Sequence, residues 1–183
     1  MKFSLFDRIL WIVLLSFTVG ILRAQETADF RKVRWGFNPK QVREAETVKP
    51  SSVKREKLVY TGVPLAERSV GLEYNFNSDS LLSASYYYYT TASVTKDDVM
   101  ATAADFETRL KEKYGPGKAS LLGDVRNTIW ITPRTQINLS VGNVDRGWSV
   151  EVQYLCRVCA PGQKRNGSAK QETFKPRNDV PDF

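Results

Sequence analysis

Strict alternation of apolar and polar residues marks two neighbouring segments in the middle of the chain. From Arg68 to Phe76, apolar residues occupy every second position. A period of two is the pattern of a strand with one buried face. The turn-forming run NSDS follows, and Leu81 to Thr91 is the next run of strand-forming residues. The pattern predicts that these two segments pair as an antiparallel hairpin.

Further strands are predicted on both sides of this hairpin. In the last third of the chain, two alternating segments flank the turn sequence GNVDRG, and the run TIWIT precedes them. Nearer the N terminus, two short segments favour strands, and the second is expected to break at Gly62–Pro64. These predicted strands are Phe30 to Trp35, Leu58 to Tyr60, Thr128 to Thr132, Thr135 to Val141 and Trp148 to Tyr154.

Two segments carry helix signals. The first helix is predicted from Pro39 to about Glu46, because Asn38 suits the N-cap and Gln41 completes a capping box. The second begins after Thr95 and ends before Gly115-Pro116. Between these limits, apolar residues recur at helical spacing and form one stripe. The stripe consists of Val99, Ala103, Phe106, Leu110 and Tyr114.

The order of elements predicts an α+β fold with a largely antiparallel sheet and two helices on one face. A helix followed by three strands occurs twice, which suggests a tandem arrangement. We expect a signal peptide over residues 1–24, a single α+β domain over residues 25–159 and a disordered basic tail over residues 160–183.

The N-terminal segment has the organisation of an export signal. Lys2 and Arg8 precede an apolar stretch from Ile9 to Leu22, which is shorter than the roughly 20 residues a membrane-spanning helix needs. Cleavage is expected between Ala24 and Gln25. We therefore expect an exported, periplasmic or extracellular protein. The alternative is an uncleaved anchor, and membrane contact is expected only through that segment if it is uncleaved.

Composition excludes several kinds of chemistry. The chain of 183 residues contains no histidine, so the usual Ser-His-Asp and Cys-His nucleophiles and the His-bearing zinc sites are ruled out. The formal net charge is +7. The basic residues are spread along the chain, and the stretch where they are densest lacks the interleaved aromatic residues that stack bases. No nucleic acid partner and no cofactor are expected.

The four consecutive tyrosines at residues 86–89 are the first candidate site. Alternation places Tyr86 and Tyr88 toward the core and leaves Tyr87 and Tyr89 on the opposite, polar face of the sheet. Glu73 and Asn75 are the polar alternates of the neighbouring strand. These four residues form the candidate binding face: Tyr87, Tyr89, Glu73 and Asn75. The alternative is that tyrosine is simply a good strand former.

The second candidate is the CRVC motif. Cys156 and Cys159 could close as a disulfide in an oxidising compartment, but a three-residue spacing requires a turn there. A redox-active pair, a metal site or an intermolecular bond are the alternatives. The poor helix-forming sequence after the motif does not favour redox activity, and two cysteines alone cannot complete a tetrahedral zinc shell.

Acidic residues offer the remaining chemistry. Asp97, Asp98, Asp105 and Glu107 cluster in or near the second helix, where general acid–base work is one interpretation. The favourable position of Asp97 and Asp98 at a helix N-terminus is the other. Asp105 and Arg109 stand four residues apart, which predicts an exposed ion pair.

Three segments carry a resemblance to known proteins. FRKVRWGFNPKQVREAE resembles the opening of many small, uncharacterised exported bacterial proteins, and FETRLKEKYGPG and TIWITPRTQINLSV continue it. More distantly, the chain resembles the small α+β domains of the BamE (SmpA) outer-membrane assembly lipoproteins and of the β-lactamase inhibitor proteins. The resemblance implies an exported, small, non-enzymatic protein and no particular ligand.

The expected function is therefore binding of an unknown protein or envelope partner, without catalysis. The alternatives are a structural part of an envelope complex and an enzyme that uses carboxylates or the Cys156/Cys159 pair.

Overall fold

The computed structural model describes residues 28–144 and 147–159. One eight-stranded sheet dominates it, and every strand pairing is antiparallel. The strands lie in the order β1-β2-β3-β4-β8-β7-β6-β5. Two runs of four consecutive strands therefore meet in the middle, where β4 pairs with β8. The expected signal peptide and basic tail lie outside the described residues.

The elements have the following bounds. The helices are α1 (Pro39–Ala45) and α2 (Lys96–Tyr114). The strands are β1 (Ser52–Lys54), β2 (Lys57–Leu65), β3 (Arg68–Asn77), β4 (Ser80–Tyr89), β5 (Lys118–Leu122), β6 (Val125–Ile131), β7 (Thr135–Val144) and β8 (Gly147–Cys156). Within the described ranges, neither helix is long and apolar enough to cross a membrane.

The α+β fold class expected from the sequence is wrong. Of the described residues, 51% lie in strands and only 20% in helices, so the protein is mostly one antiparallel sheet. Each helix is followed by four strands rather than three. The missed strands, β1 and β5, are short edge strands whose residues are mostly exposed, so they show no alternation of apolar and polar positions.

Two of the predicted strands also differ from the structure. The segment from Phe30 to Trp35 is no strand, because Phe30 and Val33 close a tight turn with Arg31 at a φ of 49°. The segment at Leu58 is longer than predicted. A bulge between Tyr60 and Val63 absorbs Gly62, at a φ of 73°, and the strand continues to Leu65.

Both predicted helices are confirmed, including their caps. The Asn38 side chain accepts hydrogen bonds from the backbone N–H groups of Lys40 and Gln41, and the Gln41 side chain accepts one from the Asn38 N–H. Thr95 and Asp98 form the same reciprocal pair at α2, and Gly115 is the C-cap residue of that helix. The caps satisfy backbone donors that a helix start leaves without partners.

The hydrophobic core lies on one face of the sheet. Val42 of α1 and the buried stripe of α2 pack against the inward-facing residues of the strands. Tyrosines supply much of that inward surface. Tyr60, Tyr74, Tyr86 and Tyr154 are all fully or almost fully buried.

A buried polar cluster fixes the N-terminal segment to this core. Arg31 donates from Nε and Nη2 to the two carboxylate oxygens of Glu46, at 3.0 and 3.1 Å, and from Nη1 to the Tyr86 hydroxyl at 3.0 Å. The Tyr74 hydroxyl also donates to Glu46. The ring of Phe30 packs against the rings of Tyr74 and Tyr86. Charge-assisted, paired bonds of this kind are the geometry that makes a buried charge tolerable.

The Tyr60 hydroxyl generates a first prediction. It is buried, has no hydrogen-bond partner among the described residues, and its pKa is raised to about 12 by burial and by the Glu46 carboxylate. A buried polar group without a partner is destabilising, so Tyr60→Phe should raise the free energy of unfolding by about 1 kcal/mol at pH 7. Urea unfolding measures this difference.

The same substitution should also change the pH dependence of stability. The folded chain retains the Tyr60 proton above the unfolded pKa of about 10, so stability is lost as the pH rises from that value toward 12. Tyr60→Phe removes the part of this loss of stability at high pH that Tyr60 causes. Tyr74, whose pKa is also raised by burial, still contributes its own part. Identical alkaline profiles for Tyr60→Phe and the parent would contradict the assignment.

Candidate functional site

The face of the sheet opposite the helices is predominantly polar, and we call it the open face. Strand pairing fixes its composition, because directly paired residues point to the same side. Its central positions come from β3, β4, β8 and β7. They are Gly71, Glu73, Asn75, Ser83, Ser85, Tyr87, Tyr89, Ser149, Glu151, Gln153, Leu155, Gln136, Asn138, Ser140 and Gly142.

Two tyrosine rings form the aromatic part of the open face. The rings of Tyr87 and Tyr89 are nearly parallel, with centroids 6.1 Å apart and an interplanar angle of 16°. Tyr87 lies directly across from Gly71 on β3, and its ring occupies the space that a side chain would fill there. A Cβ at Gly71 would stand 2.0 Å from Cζ of Tyr87. Glycine at this position therefore lets the Tyr87 ring settle over the neighbouring strand.

One ion pair lies beside these rings. Lys57 of β2 contacts Glu73 of β3 at 2.7 Å, so the charge of the Glu73 carboxylate beside the rings is neutralised. The pKa of Tyr87 is raised, first by burial and then by the charges of Glu73 and Tyr89. The Tyr87 hydroxyl thus stays protonated through the physiological range and can both donate and accept a hydrogen bond.

Uncharged hydrogen-bonding side chains cross the centre of the open face in a row. Ser85 pairs with Gln153, which pairs in turn with Asn138. Neighbouring strands lie about 4.8 Å apart, so these three positions form a row perpendicular to the strands. Gln153 and Asn138 are partly exposed in this row, and Ser85 is buried. Two hydrogen bonds order the β7 end of the face. The Gln136 side chain donates to Asn138 at 2.9 Å, and the Ser140 hydroxyl donates to the Asn127 side chain at 2.6 Å.

The two cysteines are joined in a disulfide at the end of β8. Their Cα atoms are 5.7 Å apart, and Arg157 and Val158 form the turn that the spacing requires. Both cysteines pack against the edge of the hydrophobic core. Sγ of Cys159 lies 3.8 Å from the Leu81 carbonyl oxygen, so the pair at the end of β8 lies against the start of β4.

Three of the acidic residues of α2 have structural partners. Asp98 caps the helix, and its hydrogen bonds with Thr95 lower its pKa. Asp105 contacts Arg109 at 3.1 Å and Arg68 at 3.3 Å. Glu107 contacts Arg126 at 2.9 Å. Asp97 is exposed in the first turn. Within residues 28–144 and 147–159, no group of three or more acidic or cysteine side chains is placed to hold a metal ion.

Two grooves lie away from the tyrosine rings. One, of about 550 Å³, runs along α1 and the segment after it and contains Lys40, Arg43 and Lys49. The other, of about 430 Å³, lies at the β1–β2 turn and includes Lys54, Lys57 and Asn75. The second groove therefore adjoins one end of the open face. Neither tyrosine lines either groove.

The structure brings together the four residues that the sequence grouped as a binding face. Tyr87, Tyr89, Glu73 and Asn75 all lie on the open face, with Asn75 farthest from the rings. Sequence reasoning missed Gly71, whose role depends on which residue lies across from it. It also missed that Glu151 and Gln153 neighbour the tyrosines. Their alternation along β8 was visible, but their pairing with β4 was not.

Gly71 generates the second prediction. Gly71→Ala places a methyl group where the Tyr87 ring lies, so the ring must swing away. Because the ring is the end of a flexible, half-buried side chain, the free energy of unfolding should fall by only about 1 kcal/mol, the low end for added bulk. Near-UV circular dichroism should report the loss of the ordered tyrosine pair.

A double-mutant cycle tests the cause of that loss. In a Tyr87→Ala background, Gly71→Ala should cost nothing further, because the clash is gone. Equal losses of stability in both backgrounds would show that the backbone at residue 71, and not the ring, resists the methyl group.

The disulfide generates the third prediction. The bond closes a loop of only four residues, so replacing both Cys156 and Cys159 with Ser should lower the free energy of unfolding by about 2 kcal/mol. The parent protein in a reducing buffer should match the double variant. Denaturation midpoints that are the same for the parent, the reduced parent and the double variant would contradict the stabilising role.

Comparison with known proteins adds one structural neighbour. No protein-family model and no curated protein matches the chain. Among solved structures, the chain is similar to the crystal structure of a DUF4309 family protein (YjgB) from Bacillus subtilis subsp. subtilis strain 168. The two share 14% identity over 70% of this chain and 81% of that one, with a TM-score of 0.39. The comparisons show a weak likeness to an uncharacterised bacterial family and no resemblance to the BamE or β-lactamase-inhibitor domains.

Proposed function

We propose that the protein is an exported, non-catalytic binding protein that holds an envelope partner on its open face. One observation carries the proposal. The ring of Tyr87 is held over Gly71 and is nearly parallel to that of Tyr89, and both rings lie within a field of serine, asparagine and glutamine side chains. Rigid aromatic side chains beside adaptable polar ones make effective contact surfaces, because little conformational entropy is lost on binding.

Two features support export. The sequence opens with a basic start and an apolar stretch that ends before a suitable cleavage site. The Cys156–Cys159 bond is of the kind that persists in oxidising compartments such as the periplasm or the extracellular space.

The environments of the acidic residues favour binding over catalysis. A general acid–base pair needs carboxyl groups aimed at a common substrate position. Asp98, Asp105 and Glu107 are instead committed to a helix cap and to ion pairs with arginines. Glu73 is likewise paired with Lys57.

The fourth prediction concerns these two rings. Tyr87→Ser and Tyr89→Ser should each reduce the material captured from an envelope extract by about tenfold, the effect expected from roughly 1.4 kcal/mol of lost contact energy. Leu121→Ser is the matched control, because Leu121 is a large exposed side chain on the helix-bearing side of β5. Capture that is unchanged in both tyrosine variants would refute the proposal.

A further inference from the structure

The chemistry of the open face also points to a class of partner. Building on the binding function proposed above, we infer that this face takes an uncharged polysaccharide chain. Four observations lead to this ligand: the pair of rings, the row of neutral polar side chains, the local charge and the shape of the face.

The rings provide a surface for sugar rings. The face of an aromatic ring carries partial negative charge, and the C–H groups on one side of a pyranose are weakly positive, so the two stack. Tyr87 is held over Gly71 and is nearly parallel to Tyr89. Tyr87 and Tyr89 are two residues apart on one strand, so a chain that runs along β4 would meet both rings in succession.

The neutral row matches sugar hydroxyls. A hydroxyl group both donates and accepts hydrogen bonds, and so do the amide side chains of Gln153 and Asn138. These two residues lie side by side on β8 and β7, and both are partly exposed. Gln153 lies diagonally across from Tyr87, so a sugar stacked on that ring would present its hydroxyls to neutral partners.

Local charge argues against an acidic polymer. The chain as a whole carries +7, but the charges nearest the rings on the open face are those of Glu73 and Glu151. Lys57 neutralises Glu73 at 2.7 Å. An acidic polymer would meet the carboxylate of Glu151 directly across from Tyr87, so a neutral ligand fits this surface better.

The polar centre argues against a protein partner. Protein interfaces rely on a dehydrated apolar centre with a polar rim. Here Glu151, which is exposed, and Gln153 and Asn138, which are partly exposed, occupy the middle of the face. The face is also a strand surface rather than an enclosed pocket, which suits a chain that makes many weak contacts along its length.

Affinity electrophoresis of the full chain tests the inference. The probes are soluble neutral polysaccharides cast in native gels, namely a β-glucan, a xyloglucan, a galactomannan and hydroxyethylcellulose, with alginate as the acidic comparison. At 150 mM salt, where non-specific charge effects are screened, at least one neutral gel should retard the parent. Tyr87→Ser, Tyr89→Ser and Gln153→Ala should each weaken that retardation by about tenfold.

Three controls keep the test decisive. Leu121→Ser should bind as the parent does. Tyr87→Phe keeps the ring and should retain most of the affinity, which separates loss of stacking from loss of folding. Circular dichroism confirms that each variant is folded. Retardation only in alginate, or equal retardation of the parent and the tyrosine variants, would overturn the inference.

The extract capture separates this inference from the function on which it rests. If the captured material depends on Tyr87 and Tyr89 and is destroyed by periodate but not by protease, the polysaccharide inference is supported. If it is destroyed by protease alone, the partner is a protein, so the inference fails and the binding function stands. If no captured material depends on these tyrosines, both fail.

Discussion

The pairing of β4 with β8 is the interaction on which the rest of the structure depends. It joins two four-stranded halves, each built from consecutive strands, into one sheet. On the inner side it places Tyr86 beside Val152, so that the core is continuous across the join. On the outer side it places Tyr87 beside Glu151. The core and the candidate site therefore lie on opposite faces of the same pair of strands.

The buried cluster around Glu46 connects the chain's N-terminal segment to this central pairing. Arg31 reaches both Glu46, just after α1, and the hydroxyl of Tyr86 on β4. Removing Arg31 or Glu46 would leave the other charge buried without its opposite charge. The resulting decrease in the free energy of unfolding would be large for a small domain. A segment without a helix or strand of its own is thus tied to the core by these contacts.

The sequence could predict what depends on local pattern. Alternation identified β3, β7 and β8, and a run of strand-forming residues after a turn identified β4. The N-cap residues Asn38 and Thr95 located both helix starts. It could not reveal β1 or β5, because the exposed residues of short edge strands carry no period. Without those strands, the balance between helix and sheet was misjudged and the fold class was wrong.

The candidate site divides along the same line. Alternation alone put Tyr87 and Tyr89 on the side of β4 away from Tyr86. The fit of Tyr87 over Gly71, and the row formed with Gln153 and Asn138, depend on strands that meet only in the folded sheet. The order of residues along a strand shows which side of the strand each residue faces. It does not show which residues of other strands will be its neighbours.

The run of four tyrosines makes the alignment of β4 nearly ambiguous. If that strand slipped by one residue, a tyrosine would still face the core and another would still face outward, so the aromatic residues themselves scarcely distinguish the two alignments. The discrimination must come from neighbours that differ in kind. In the observed alignment, Ala84 lies between Tyr74 and Tyr154 on the core face, and a slip by one residue would put a serine there. The small residues that precede the tyrosines therefore fix the alignment that the tyrosines leave open.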